Sequence, residues 1–227
     1  MRNLLLAFVF VFFLASASCG APCYGTKMPA RNKIFAGAQY YNIFKRYLEG
    51  SDNGKMSSQQ EFVLLSYGIF DWLSIDLKGG AGDIKQQFPG RDRLNYSEFL
   101  GGGYGFRLRA YEKEKIKAAF GFQHISIHPK ILHPAGQKNK AVLDDWQLSA
   151  LVSYDFKKIT PYLGGRWSRA DYIHWVDGER SRVKSELDKS FGFIYGCDIA
   201  LTERMWLNLE GQAFDSDAFA LSLNYSF

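Results

Sequence analysis

The stretch Ala218-Phe219-Ala220-Leu221-Ser222-Leu223-Asn224-Tyr225-Ser226-Phe227 alternates without interruption. Read at period two, Phe219, Leu221, Leu223, Tyr225 and Phe227 fall on one face of an extended chain, and Ala218, Ala220, Ser222, Asn224 and Ser226 on the other. One face is apolar and ends on aromatics; the opposite face is small and polar. A tilted β-strand needs about 9–11 residues to cross a bilayer, and this run supplies them.

The other end of the chain fits an exported protein. Arg2 is a short positive region, Leu4 to Leu14 is an apolar run, and Ala15-Ser16-Ala17 has the small-x-small form of a cleavage site. Residues 1–17 therefore read as a signal peptide, 18–32 as a leader and 33–227 as one domain. A lipoprotein signal over 1–18 is the alternative, with Cys19 lipidated; Cys19 paired with Cys23 is another use of the same residue. With Cys197 the chain has three cysteines, which is not a disulfide scaffold. The alternating segment closed by Phe227 resembles the final strand of bacterial outer-membrane β-barrels. In that family the segment, here Phe219, Leu221, Leu223, Tyr225 and Phe227, is the signal read by the barrel-insertion machinery.

Composition agrees with strands. Tyr 13, Phe 19, Trp 5 and Gly 22 make a mixture rich in strand formers and in residues at which strands bend. The net charge of +5 is dispersed among acids, which is not a nucleic-acid footprint. Alternating segments are expected at 33–48, 61–70, 73–85, 96–111, 116–128, 145–156, 160–175, 189–201, 205–214 and 218–227, giving ten strands. Eight would follow if the glycine-broken hairpin around Gly79-Gly80 were discounted. Tight turns at 71–72, 112–115, 157–158 and 202–204 alternate with longer polar loops at 49–60, 86–94, 129–143 and 176–188. Short turns at one end and long loops at the other are the outer-membrane arrangement. The expected fold is thus all-β, a closed antiparallel up-and-down transmembrane barrel integral to the bacterial outer membrane, resembling the OmpA-type and other eight- to ten-stranded barrels.

Alternation also assigns the faces. Leu73, Ile75, Leu77, Tyr104, Phe106, Leu148 and Val152 belong outside, while Asp76, Lys78, Arg107, Arg109, Asp155, Arg166, Asp198 and Glu210 belong inside as an ion network that fills the lumen.

For chemistry, His124, Ser126 and His128 share one outward strand face near the long-loop end, and pairing around the loop would bring Asp144 beside Ser126. The His-x-Ser pair is similar to that of the lipid A deacylase family, in which His activates a Ser nucleophile aided by an acid. That resemblance covers His124 and Ser126 alone, with Ile127 where the family has Asn; the expected pairing supplies Asp144 as the acid of the candidate catalytic set. His124 and His128 are ~13 Å apart along a strand, too far to share a metal ion. His174 with Asp171 and Asp177 resembles the omptin proteases only partly, because Tyr172 stands where the Asp of their Asp-x-His pair would precede His174, and Asp144 and Asp145 point to opposite faces. Arg180, Arg182 and Lys184 are candidates to bind lipopolysaccharide phosphates. Phosphate loops, Cys-x-x-Cys pairs, zincin helices and dinucleotide fingerprints are absent from the sequence. The expected role is structural or extracellular interaction by a monomer with a largely closed lumen and no cofactor, its partners being outer-membrane lipid and lipopolysaccharide. A lipid A-acting hydrolase at the outer rim and a narrow channel are the alternatives.

Overall fold

The computed structural model describes residues 25–227, apart from Ser51 and Arg91. The expected cleavage site and both uses of Cys19 lie outside the described residues. The strands are β1 (Ile34–Tyr47), β2 (Lys55–Phe70), β3 (Leu73–Gln87), β4 (Leu94–Lys113), β5 (Ile116–His128), β6 (Asn139–Tyr154), β7 (Ile159–Val176), β8 (Glu179–Lys184), β9 (Phe191–Ala200), β10 (Met205–Ala213) and β11 (Asp217–Ser226). They hydrogen-bond in the order β6-β5-β4-β3-β2-β1-β11-β10-β9-β7, and β6 pairs with β7 to shut the ring. Ten antiparallel strands therefore form a closed barrel, with both backbone edges satisfied. The strand around Gly79-Gly80 is part of that ring, pairing with β2 and β4, so the eight-strand alternative is ruled out.

Where the chain was expected to loop, strands continue. β2 starts at Lys55 and β6 at Asn139, and the segment 176–188 holds a hairpin of β7 and β8 instead of a loop. The reason is physical: beyond the bilayer both faces of a strand meet polar surroundings, so polar–apolar alternation fades while the backbone ladder goes on. Connections of two to four residues remain at one end, around 71–72, 114–115, 155–158 and 201–204. The longer connections stand at the other end.

The wall alternates as the sequence predicts. Val63, Leu65 and Tyr67 are exposed while Phe62, Leu64 and Ser66 are buried; Ile75 and Leu77 are exposed while Ser74, Asp76 and Lys78 are buried. The interior differs from the expected ion network in its loop-end half. There Ile43, Leu48, Met56, Ile84, Tyr96, Ile125, Ile127, Leu143 and Tyr172 pack into one apolar cluster. Those positions are inward by parity, but their strands rise above the membrane, where burial against each other is the only dry place for them.

Polar contacts fill the rest. Arg107 grips Asp76 at 2.7–2.8 Å, and Arg166 reaches Asp215, Gln212 and Ser216 at 2.6–2.7 Å. Lys78 donates to Gln39 at 3.2 Å, Asp198 accepts from Asn208 at 2.8 Å, and Glu210 accepts from Tyr162 and Gln212 at 3.0 and 2.6 Å. Two residues assigned to this network lie elsewhere. Arg109 pairs with Glu112 at 2.7 Å beside the β4–β5 turn, where a bulge interrupts the ladder. Asp155 follows the end of β6 and accepts the Lys157 N–H at 2.6 Å. The leader closes the turn end: Thr26 bonds Ser153 in the interior, Met28 is buried, and the Lys27 carbonyl accepts from Arg107 at 2.6 Å.

Candidate functional site

Antiparallel register sets Ser126 of β5 opposite Gly102 of β4 on one side and Asp144 of β6 on the other. The same row continues through Asp171 of β7 to Lys184 of β8. All five positions face outward. Directly paired residues of adjacent strands stand close enough for short side chains to touch, and here they do. The Ser126 hydroxyl donates to Asp144 Oδ1 at 2.5 Å, and its oxygen lies 2.9 Å from His128 Nε2. His124 Nε2 is 3.7 Å from the same carboxylate oxygen.

One serine thus sits between a carboxylate and an imidazole. Its hydroxyl carries a single hydrogen. While that hydrogen is on Asp144, His128 donates through Nε2–H; in the other histidine tautomer the hydroxyl gives its hydrogen to Nε2 instead. His124 is held differently, by aromatic neighbours. Its ring is 4.0 Å from the Trp146 ring and 5.4 Å from Tyr104. His124 and Asp144 are largely shielded, whereas His128 is exposed.

The expected set of His124, Ser126 and Asp144 is gathered at one place, but the histidine touching the serine is His128. The signal was present: residues i and i+2 of a strand share a face, so His128 is as near to Ser126 as His124 is. Nothing in the sequence ranks the two.

The three basic candidates lie along this face. Lys184, Arg182 and Arg180 pair in register with Asp171, Ile173 and Trp175. Arg182 is ion-paired with Asp171, whose carboxylate favours its charged form further. Arg180 stands 5.7 Å over the Trp175 ring. The omptin-like residues are dispersed: His174 bonds Asn139 at 2.8 Å, Asp177 accepts from the Lys138 N–H at 2.8 Å, and Asp171 is engaged by Arg182. Asp145 points inward to Arg46 at 3.2 Å, away from Asp144. No group of three or more His, Cys, Asp or Glu side chains suited to a metal occurs among the described residues.

No protein-family model and no curated protein matches the chain. Solved structures do. The translocator domain of the autotransporter NalP from Neisseria meningitidis is 11% identical, with 86% of this chain and 88% of that one covered and a TM-score of 0.47. An outer membrane channel from Pseudomonas putida F1 is 10% identical over 91% and 99% of the two chains at 0.46. The outer membrane protease OmpT from Escherichia coli is 10% identical over 89% and 99% at 0.44. Likeness at this level carries neither a family nor an activity.

The wall decides the setting. Val63, Leu65, Ile75, Leu77, Phe106, Phe120, Leu148, Val152, Leu163 and Tyr195 are exposed around the ring, while Asp76, Lys78, Arg107, Arg166, Asp198 and Glu210 are inside it. That inversion needs hydrocarbon as the solvent. The chain is an integral outer-membrane β-barrel. In this barrel the long connections mark the outer side, which puts Ser126, three residues from the loop end of β5 counting His128, at the outer rim. β11 turns Leu223 and Phe227 toward lipid and Ala218, Ala220, Ser222 and Asn224 inward, as its alternation requires.

Proposed function

We propose that this barrel carries a serine hydrolase site on its outer wall, acting on acyl esters of outer-leaflet lipid. The observation that carries the reading is Ser126 Oγ within hydrogen-bond reach of His128 and Asp144 together, on a face that meets lipid at the outer rim. A serine hydroxyl becomes a nucleophile when a neighbouring base takes its proton. As Oγ bonds to an ester carbonyl carbon, its proton passes to His128 Nε2. The imidazolium that forms lies in the field of Asp144, which has given up the hydroxyl's hydrogen bond. His128 then returns the proton to the departing alcohol as the ester C–O bond breaks, and water releases the acyl group from Ser126 by the same route reversed. His124 Nε2 lies 3.7 Å from the same carboxylate, close enough for its charged form to interact with Asp144. Arg180 and Lys184, on the same face, supply cations for lipopolysaccharide phosphates.

A second reading keeps the barrel as a structural or interaction protein. It is supported by the filled lumen and by the stacking of His124 between Trp146 and Tyr104, the arrangement of an aromatic girdle. Incubation of the refolded barrel with purified lipid A separates the two. Release of fatty acid that falls by about 10³-fold or more in Ser126→Ala supports the hydrolase. Equal release by both proteins, or none by either, leaves the structural reading.

A further inference from the structure

At the loop end of β1, β2 and β3, on other strands than Ser126, the outer wall carries a basic cleft. It has a volume of about 290 Å³ and is bounded by Phe44, Lys55, Ser57, Lys85, Gln87 and Arg93. Register builds it. Ser57 lies opposite Lys85 and Lys55 opposite Gln87, so alternate residues of two neighbouring strands face outward side by side. Arg93 directly precedes Leu94, which pairs with Gln86, and its guanidinium crosses to β2, where Nη2 donates to Ser57 Oγ at 2.9 Å. A bulge in β1 between Ile43 and Arg46 turns Phe44 outward, 59% exposed, to close the β1 side. Gly54 permits the close approach of the two connections: at φ 65° it lies so near β3 that a Cβ would stand 2.1 Å from the Gln87 carbonyl oxygen.

The cleft offers donors and no acid. None of its lining residues is Asp or Glu, and Asp83, behind it, is ion-paired with Lys85. Lys85 also donates to Gln59 at 3.1 Å. Elsewhere at the loop end Lys45, Arg182 and Lys189 are paired with Asp217, Asp171 and Glu186, whereas Lys55 and Arg93 have no ion-pair partner among the described residues. Ser57 accepts from Arg93, and its own hydrogen remains to be donated. Three cations against the Asp83 carboxylate leave an excess of two positive charges, which matches a phosphomonoester of about −1.5 to −2 charge at neutral pH.

Height on the wall points to a lipid. Phe44 stands ten residues above Ile34 in β1, as Ser126 stands ten above Ile116 in β5, which puts Phe44 at the outer rim. Below it the same wall exposes Ala38, Val63 and Leu65; above it come the cations. An apolar wall, an aromatic side chain at the boundary and cations over it follow the order of acyl chains, interface and phosphate in a phosphorylated lipid.

We propose that this cleft binds the phosphate of an outer-leaflet glycolipid, with Lys55, Lys85 and Arg93 as charged donors and Phe44 against the lipid beneath. Arg93 offers a planar fork to two phosphate oxygens, and the lysines act as point charges. The site is separate from Ser126 and stands whether or not any ester is cleaved.

The test titrates the refolded full-length barrel in detergent with bisphosphorylated lipid A and counts bound lipid by native mass spectrometry. Lys55→Gln/Arg93→Gln should bind lipid A about tenfold more weakly than the wild type, because two charge-assisted hydrogen bonds are lost. Both residues are exposed, so the heat-modifiable gel mobility of the barrel should be unchanged. Phe44→Ala should also weaken lipid A binding, and inorganic phosphate at equal concentration should not displace the lipid. Equal binding by the wild type and Lys55→Gln/Arg93→Gln overturns the cleft, whatever Arg180→Gln/Lys184→Gln does at the cations assigned to the serine site. Complete displacement by inorganic phosphate, with no effect of Phe44→Ala, overturns the lipid as the source of the anion.

Discussion

Arg107 and Arg109 stand two residues apart on β4 and have opposite fates. Arg107 is buried, holds Asp76 through two nitrogens, and also reaches Ser66 and the Lys27 carbonyl. Removing one partner of such a pair leaves an uncompensated charge in a water-poor interior, a loss of about 3–5 kcal/mol. Arg109 meets Glu112 beside a turn, where an ion pair is worth roughly 0–1 kcal/mol. Urea unfolding in detergent micelles should therefore show Arg107→Ala strongly destabilised and Arg109→Ala nearly unchanged; equal losses would contradict the separation of the two sites. Periodicity put both arginines inside. It had no means of locating the bulge between Arg109 and Tyr111 that ends the regular ladder.

At the scale of the element, the β7–β8 hairpin is the feature the sequence reading passed over. Asp177 and Gly178 both have positive φ, 49° and 97°. Two such residues between antiparallel strands form the tight turn whose twist matches theirs, and Asp-Gly is among its strongest signals. That dipeptide was legible in the chain, but the charged residues around it hid the strand pattern. Gly178→Val puts a branched side chain at a φ only glycine adopts freely. The expected result is faster trypsin cleavage at Arg180 and Arg182 in the variant, with the barrel's heat-modifiable gel mobility retained. Loss of the barrel itself would mean that the hairpin is required for closure.

For the whole molecule, the filled interior makes a prediction about conduction. Apolar side chains and the Arg46–Asp145 pair close the loop-end half, further ion pairs and amides occupy the middle, and residues 25–28 enter from the turn end. Refolded protein in a planar bilayer should give no steady unitary current in molar salt. Currents of a defined size would show that the packed interior opens. Deleting residues 25–28 tests the turn-end closure separately: the mouth should admit a thiol reagent to a cysteine placed at Ser153, which the intact protein shields.

The ten-strand ring, its outward apolar face and the meeting of Ser126 with Asp144 were legible because a period of two, repeated between turns, fixes both which face a side chain takes and which residues lie opposite around a connection. Alternation at Ala218–Phe227 was enough to start that reading. Three things were decided only in three dimensions. His128 rather than His124 touches the serine, because rotamers choose between two equidistant neighbours. The upper lumen holds an apolar cluster beside the Arg46–Asp145 pair, since strands that outrun the bilayer bury their inward side chains against one another. Ala38, Val63 and Gly79 come to lie in one outward row because the register of neighbouring strands aligns them. A linear pattern records the face of each residue; the stagger of neighbouring strands, which turns faces into rows, is set only when the sheet closes.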